Sequence, residues 1–101
     1  MYNPQLQALM PQVIKVLKEH QVKSAYLFGS SCTDKFKPDS DVDLLIEFIP
    51  GEAPGGFGLV DMQDELSATF NGRKIDLAFP SVLANPYRRR AIEPQLRSLY
   101  Q

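Results

Sequence analysis

The chain has 101 residues, of which 44% are hydrophobic and 23% charged, and its formal net charge is −1. This length predicts one domain over residues 1–101, with little mass left for a second substrate-binding lobe. A charge so close to zero gives no long-range attraction for nucleic acid. Cys32 is the only cysteine, which excludes an internal disulfide framework. Because the sequence also has no signal-peptide pattern and no apolar run of about 20 residues, we expect a cytoplasmic protein without membrane association.

The N-terminal part predicts a helix followed by a strand. Asn3-Pro4 has the pattern of an N-cap with proline at the first helical position. Apolar residues then recur at helical spacing: Leu6, Leu9, Met10, Val13, Ile14 and Leu17. Pro11 either kinks this helix or restarts it. Residues 24–28 predict the first strand, which ends at Gly29.

A second strand is predicted over Asp41–Phe48, after a polar loop at residues 31–40. Successive side chains of a strand point to opposite faces. One face of this strand is apolar and predicts the core: Val42, Leu44, Ile46 and Phe48. The other face carries Asp41, Asp43, Leu45 and Glu47. A loop rich in proline and glycine follows over residues 50–56.

The C-terminal half predicts a helix, a strand and a last helix. The first of these helices has an apolar series that Asn71-Gly72 closes: Leu59, Val60, Met62, Leu66 and Phe70, interrupted by Gln63. Residues 74–79 predict a third strand with Asp76 opposite its apolar face. Asn85-Pro86 begins the last helix, which Pro94 ends, and residues 96–100 form either a short edge strand or an irregular tail.

These elements predict an α+β fold, an α/β sandwich in which helices pack on one face of a small mixed sheet. If the second and third strands are neighbours, Asp41, Asp43 and Asp76 converge on the opposite face. Two like charges held side by side are costly unless a cation lies between them. Magnesium prefers oxygen ligands, and two ions about 3.5–4 Å apart form a common site for phosphoryl or nucleotidyl transfer.

The three carboxylates therefore predict a two-ion magnesium site. Asp41 and Asp43 are the first ligands, and Asp76 completes the second site and accepts the proton of an attacking hydroxyl. The Gly29-Ser30 turn supplies the other half of the site. Glycine lets backbone N–H groups approach a phosphate closely, and Ser30 adds a hydroxyl donor.

Each of these signals is weak alone, because Asp-x-Asp is common at turns and strand starts. Their combination is far more specific: a strand ends in Gly-Ser, a second strand begins with Asp-x-Asp, and a third strand carries Asp76 on the matching face. His20 is more simply a residue at a helix C-terminus than a metal ligand, and Cys32 has no evident local base. The run Arg88–Arg90 is either a solvated helix face or a contact for an acidic partner or RNA backbone.

Three segments of the chain resemble the minimal nucleotidyltransferase family of the DNA-polymerase-β-like superfamily. They are the segments at residues 27–30 (LFGS), 40–45 (SDVDLL) and 72–77 (GRKIDL). The resemblance implies the nucleotidyltransferase fold and adenylyl transfer that depends on ATP and Mg²⁺. It also implies a partner, because such proteins commonly act as antitoxins of HEPN-domain ribonuclease toxins by adenylylating a toxin tyrosine. Nucleic acid would then be met only through the toxin.

The motif after Gly-Ser departs from that family, which often has Arg-Gly where this chain has Thr33-Asp34. A positive charge is thereby lost beside the expected phosphate, and Lys35 or Lys37 would replace it only as a flexible point charge. Three hypotheses remain open: adenylylation of a HEPN toxin, neutralisation of the toxin by binding alone, and a small-molecule nucleotidyltransferase that acts as one subunit of a larger assembly.

Overall fold

The computed structural model describes residues 4–29 and 41–100. The helices are α1 (Pro4–Gln7), α2 (Met10–Glu19), α3 (Gly56–Thr69) and α4 (Pro86–Ile92). The strands are β1 (Val22–Phe28), β2 (Val42–Phe48), β3 (Ile75–Ala78) and β4 (Arg97–Tyr100). Short 3₁₀ helices lie at Pro80–Ala84 and Glu93–Gln95, on either side of α4. None of the helices in this described part of the chain is long and apolar enough to cross a membrane.

The N-terminal helix is restarted at Pro11 rather than kinked there. α1 ends at Gln7, and α2 begins at Met10 with Pro11 in its first turn. Proline fits that position because the first N–H groups of a helix have no partner within the helix. The restart lets Leu6 and Met10 enter the core together with Val13 and Leu17.

The four strands form one sheet in the order β3-β2-β1-β4. β1 pairs antiparallel with both β2 and β4, whereas β2 and β3 are parallel and are joined through α3. The sheet is therefore mixed, as the sequence predicts. Of the two possibilities for the C-terminal residues, the edge strand is confirmed. Tyr100 fastens that strand, because its hydroxyl donates a hydrogen bond to the Val22 carbonyl at 2.6 Å.

The core lies between one face of the sheet and the helices α2 and α3. The strands contribute Ala25, Leu27, Val42, Leu44, Ile46 and Ile75, and α3 with its C-cap contributes Met62, Leu66 and Phe70. Met62, Leu66 and Phe70 are four residues apart and form a single stripe. Val60 lies outside this stripe and is 52% exposed, so the prediction that it belongs to the apolar face is wrong.

α3 ends in a left-handed turn that leads directly into β3. The N–H of Gly72 bonds the carbonyl of Ser67 at 2.8 Å, and the N–H of Asn71 bonds that of Ala68 at 3.1 Å. Asn71 and Gly72 both have positive φ, at 63° and 86°. This is the Schellman arrangement of a helix C-terminus, and it confirms that Asn71-Gly72 closes the helix.

Polar side chains of α3 hold the start of β3. Gln63 donates its side-chain amide to the Ile75 carbonyl, and the Ser67 hydroxyl donates to the Arg73 carbonyl at 2.7 Å. Gln63 interrupts the apolar series of the helix because its amide satisfies a backbone group that would otherwise be half-buried without a partner. These bonds fix the position of β3 along its own axis relative to α3, and they therefore fix the position of Asp76.

The position of Phe70 beneath the sheet predicts a large loss of stability on truncation. Phe70, the C-cap of α3, has no exposed surface, whereas Phe57 in the first turn of α3 is 91% exposed. We expect Phe70→Ala to lower the free energy of unfolding by about 3–5 kcal/mol through lost burial and the cavity left behind. Phe57→Ala should change it by less than about 0.5 kcal/mol. Urea titrations of both variants measure this, and similar values would contradict the assigned core.

Candidate functional site

The sheet register brings the predicted carboxylates together at one end of the central strands. Asp43 of β2 lies directly opposite Asp76 of β3 in the parallel ladder. On its other side, Asp43 lies opposite Phe28, the last residue of β1. Gly29, the first residue after β1, therefore lies beside Asp43, and Asp76 lies on the other side of Asp43. Side-chain alternation places both aspartates on the face away from the core, because their neighbours Val42 and Ile75 are buried.

The environment of Asp43 disfavours the charged form of its carboxyl group. Partial burial raises its pKa from 3.8 to about 6, with further contributions from the charge of Asp76, the charge of Asp41 and a side-chain hydrogen bond to Asp76. All of these effects favour the protonated form. Lys74 lies 3.9 Å from Asp76, but the two side chains are 71% and 46% exposed, so this ion pair gives little compensation.

Gly29 is the contact point between the β1 turn and Asp43. Its φ is +74°, a conformation that glycine adopts readily. A Cβ at this position would overlap Asp43 Oδ2 and lie 3.3 Å from its carboxyl carbon. The carboxylate therefore packs directly against the glycine backbone. Only a residue without a side chain allows the turn and the carboxylate to be this close.

Gln95 is a site residue that the sequence analysis missed. Its side-chain oxygen accepts a hydrogen bond of 3.0 Å from the N–H of Gly29. This is the N–H group that the sequence predicts to bind a phosphate. The two residues are 66 positions apart, so no local motif indicates the contact. The amide oxygen of Gln95 therefore occupies the position where the sequence predicts a phosphate oxygen.

The predicted site residues have different outcomes. Gly29, Asp43 and Asp76 are in contact or in register, and Asp41 is exposed at the start of β2, where its charge still acts on Asp43. Ser30, together with Thr33 and Asp34, lies outside the described residues. Their roles in catalysis and metal binding stay predictions.

The donor set fits magnesium in its chemistry. Within residues 4–29 and 41–100, no group of three or more histidine, cysteine, aspartate or glutamate side chains forms a complete metal-binding cluster. The fold provides two facing carboxylates, Asp43 and Asp76, with Asp41 close enough for its charge to act on Asp43. Mg²⁺ is commonly held by one or two carboxylates together with substrate phosphates. A divalent cation would also offset the repulsion that adds to the effect of burial on the pKa of Asp43.

Comparison with known proteins agrees with this arrangement. The family model described as a nucleotidyltransferase domain matches residues 10–97. A protein of Methanocaldococcus jannaschii named "Putative protein adenylyltransferase MJ0128" is 37% identical over 83 residues, which are 81% of this chain and 82% of that protein.

Solved structures share the fold. One described as a "putative minimal nucleotidyltransferase" has a TM-score of 0.74 at 23% identity and covers 96% of this chain and 95% of its own. A toxin–antitoxin structure with AMP-PNP has a TM-score of 0.67 at 18% identity, covering 90% of this chain and 72% of its own.

The contact between Gly29 and Asp43 predicts a specific defect in Gly29→Ala. Gly51 is the matched control, because its φ is +81° but no atom lies within 4 Å of the position of a Cβ. Both alanine variants should lose about 1–2 kcal/mol of stability through the left-handed backbone. Only Gly29→Ala should also displace the Asp43 carboxylate and weaken binding of Mg²⁺-ATP. Urea unfolding and calorimetric titration separate the two effects, and equal binding by both variants would contradict the contact.

The raised pKa of Asp43 predicts a pH-dependent stability in the absence of divalent cations. A carboxyl whose pKa is higher in the folded protein stabilises the fold while it is protonated, and this contribution is lost as pH rises through about 6. In EDTA, Asp43→Asn should therefore gain stability relative to the natural chain as pH rises from about 4 to about 6, and the gain should then level off. Asp61→Asn, an exposed change on α3, should show no such trend. Denaturant midpoints at a series of pH values measure both differences.

Proposed function

Because the chain belongs to the nucleotidyltransferase domain family and is a nucleotidyltransferase, we propose that it transfers AMP from ATP to a hydroxyl group of a partner protein. The partner that we propose is a HEPN-domain toxin, which this chain would silence as its antitoxin in the cytoplasm. Residues 1–101 would act as one minimal nucleotidyltransferase domain. The acceptor protein would then contribute the hydroxyl that completes the active site.

The observation that carries this proposal is the alignment of Gly29, Asp43 and Asp76 across three neighbouring strands. Adenylyl transfer needs a grip for the triphosphate, ligands for Mg²⁺ and a proton acceptor near the incoming hydroxyl. A glycine turn beside two carboxylates on neighbouring strands would supply these groups in that order. The pairing of Asp43 with Asp76 is costly without a cation, which is typical of a site built for one.

Each residue then has a distinct task. Gly29 and Ser30 would hold the triphosphate, Asp41 and Asp43 would hold Mg²⁺, and Asp76 would serve a second ion on the acceptor side. Bound Mg²⁺ would neutralise the phosphate charge that develops during transfer. The acceptor oxygen forms a bond to the α-phosphorus of ATP. The bond between that phosphorus and the oxygen that bridges it to the β-phosphorus breaks, and pyrophosphate leaves. Asp76 would accept the proton of the hydroxyl.

The names of similar proteins support the choice of reaction and partner. The relative from Methanocaldococcus jannaschii is named as a protein adenylyltransferase. One of the solved structures with this fold is a toxin–antitoxin assembly with AMP-PNP, an ATP analogue. Both agree with a protein acceptor and with adenosine triphosphate as donor.

One observation favours a second candidate, in which the chain neutralises its toxin by binding alone. The Gly29 N–H is already bonded to Gln95 within the chain. The sequence also has Thr33-Asp34 where the family often has Arg-Gly. Both features would weaken the grip on a triphosphate.

Asp76→Asn tests the enzymatic proposal. We expect the variant to bind Mg²⁺-ATP with only a small loss, because Gly29, Asp41 and Asp43 are unchanged. AMP transfer to the co-expressed product of the adjacent gene should fall by about 10²–10⁴-fold, as for the loss of a general base. Glu47→Gln is the matched control, since Glu47 is an exposed carboxylate on the same face of β2. Intact mass of the partner after incubation with ATP measures transfer.

The biological outcome separates the two candidates. If the enzyme is the antitoxin, Asp76→Asn should fail to protect cells from the toxin while Glu47→Gln protects them. Full protection by an Asp76→Asn variant that adds no AMP would support neutralisation by binding. The absence of any mass increase with the natural chain would contradict the transferase reaction on this partner.

A further inference from the structure

A groove follows the free edge of β3, immediately beyond Asp76. Its wall on the strand side is Leu77–Phe79, and its other wall is formed by Ser81, Asn85 and Arg88. We call it the β3-edge groove. Its volume is about 410 Å³, which is in the range of ligand pockets but wide open to solvent. An open groove of this shape suits a chain that lies along the surface.

The position of the groove places it on the acceptor side of the site. Gly29, Asp43 and Asp76 follow one another across β1, β2 and β3, and the groove begins at the residue after Asp76. In an in-line displacement the attacking and leaving oxygens lie on opposite sides of the phosphorus. If the leaving pyrophosphate is held at Gly29, the attacking hydroxyl must come from the β3 side.

On the outer edge of β3, the carbonyls of Ile75 and Phe79 already accept hydrogen bonds, from the Gln63 side chain and from the N–H of Val82. Between them, Leu77 presents its N–H and C=O to an extended polypeptide. β3 is a terminal strand of the sheet and pairs on one side only, with β2. Within the described residues, no strand pairs with its other side. Such an edge can receive another strand by main-chain hydrogen bonding. Because Leu77 and Phe79 pack against the core, the added strand would be held mainly through its main chain.

The charge in the groove comes from Arg88. Asn85 caps α4 by accepting hydrogen bonds from the N–H groups of Tyr87 and Arg88, which fixes the first turn of the helix beside β3. Arg89 is paired with Glu93. Among the described residues, no ion pair joins a carboxylate to Arg88. Its guanidinium is therefore available to an anion that enters the groove.

We propose that the β3-edge groove binds an extended acidic segment of the acceptor protein, anchored by a carboxylate on Arg88, so that a hydroxyl of that segment reaches Asp76. This proposal rests on the proposed transferase function and adds the chemistry of its acceptor. The strand edge and the single arginine favour a polypeptide over RNA, which would require a row of cations for its phosphates. Arg88 acts here as a positioning residue and not in the chemical step.

The test measures binding without ATP, so it does not depend on catalysis. The probe is a blocked nine-residue peptide with a central tyrosine, alternating valines and two glutamates. Matched probes carry lysines in place of the glutamates, or are a nine-nucleotide RNA. Amide chemical shifts of the ¹⁵N-labelled protein locate the binding site. The acidic peptide should shift Leu77, Ala78 and Phe79, and the lysine peptide should bind at least about tenfold more weakly.

Variants of the arginine run identify the anchor. Arg88→Gln should weaken binding of the acidic peptide about 5- to 10-fold, Arg88→Lys should restore part of it, and Arg90→Gln should leave it unchanged. The proposal is overturned if the acidic peptide shifts other residues, if the lysine peptide or RNA binds as well, or if Arg90→Gln weakens binding as much as Arg88→Gln.

A kinetic measurement keeps this proposal distinct from the transferase proposal. With the co-expressed partner as acceptor, Arg88→Gln should raise the KM for the acceptor and leave the KM for ATP unchanged. If the natural chain transfers AMP and Arg88→Gln changes neither constant, the groove proposal fails while the transferase proposal stands. If the natural chain transfers no AMP but binds the acidic peptide at the groove, the transferase proposal fails.

Discussion

The facing carboxylates of Asp43 and Asp76 are the interaction on which the rest of the site depends. Partial burial and the charge of Asp76 together raise the pKa of Asp43, which costs the folded protein stability when this carboxyl is ionised and no cation is present. The fold imposes this proximity through the parallel register of β2 and β3, which sets the two residues directly opposite each other. The backbone register of two strands thus decides which carboxylates are close enough to share a cation.

The helix on the opposite face of the sheet maintains that register. Gln63 and Ser67 of α3 bond the backbone at the start of β3, and the turn at Asn71-Gly72 sets the direction of the chain before it. At the other end of the strand pair, the rings of Phe48 and Phe79 stack with centroids 6.3 Å apart. Contacts on the buried face therefore determine the geometry of the exposed face, as expected when a site is built on rigid strands.

The sequence predicts the element order and the facing of β2 and β3, because strand alternation depends only on local spacing. The sequence allows Asp43 and Asp76 to be close to each other but does not require it. Strand alternation does not determine which strands are neighbours or in which direction they run. The bond between Gln95 and Gly29 has no local signal, because it joins distant parts of the chain. Val60 is exposed because tertiary packing turns a different stripe of α3 toward the sheet.

The crossover between β2 and β3 also has a consequence for the order of folding. β1 and β2 are antiparallel and consecutive among the strands, whereas the β2–β3 ladder closes only after α3 has been formed and placed. Non-local parallel pairing is entropically late in a folding reaction. A nascent chain would therefore gather its apolar residues before it brings the two aspartates together. The unfavourable charge contact is thus made in the same step that buries Ile75 beside Val42, so the gain from that burial offsets part of its cost.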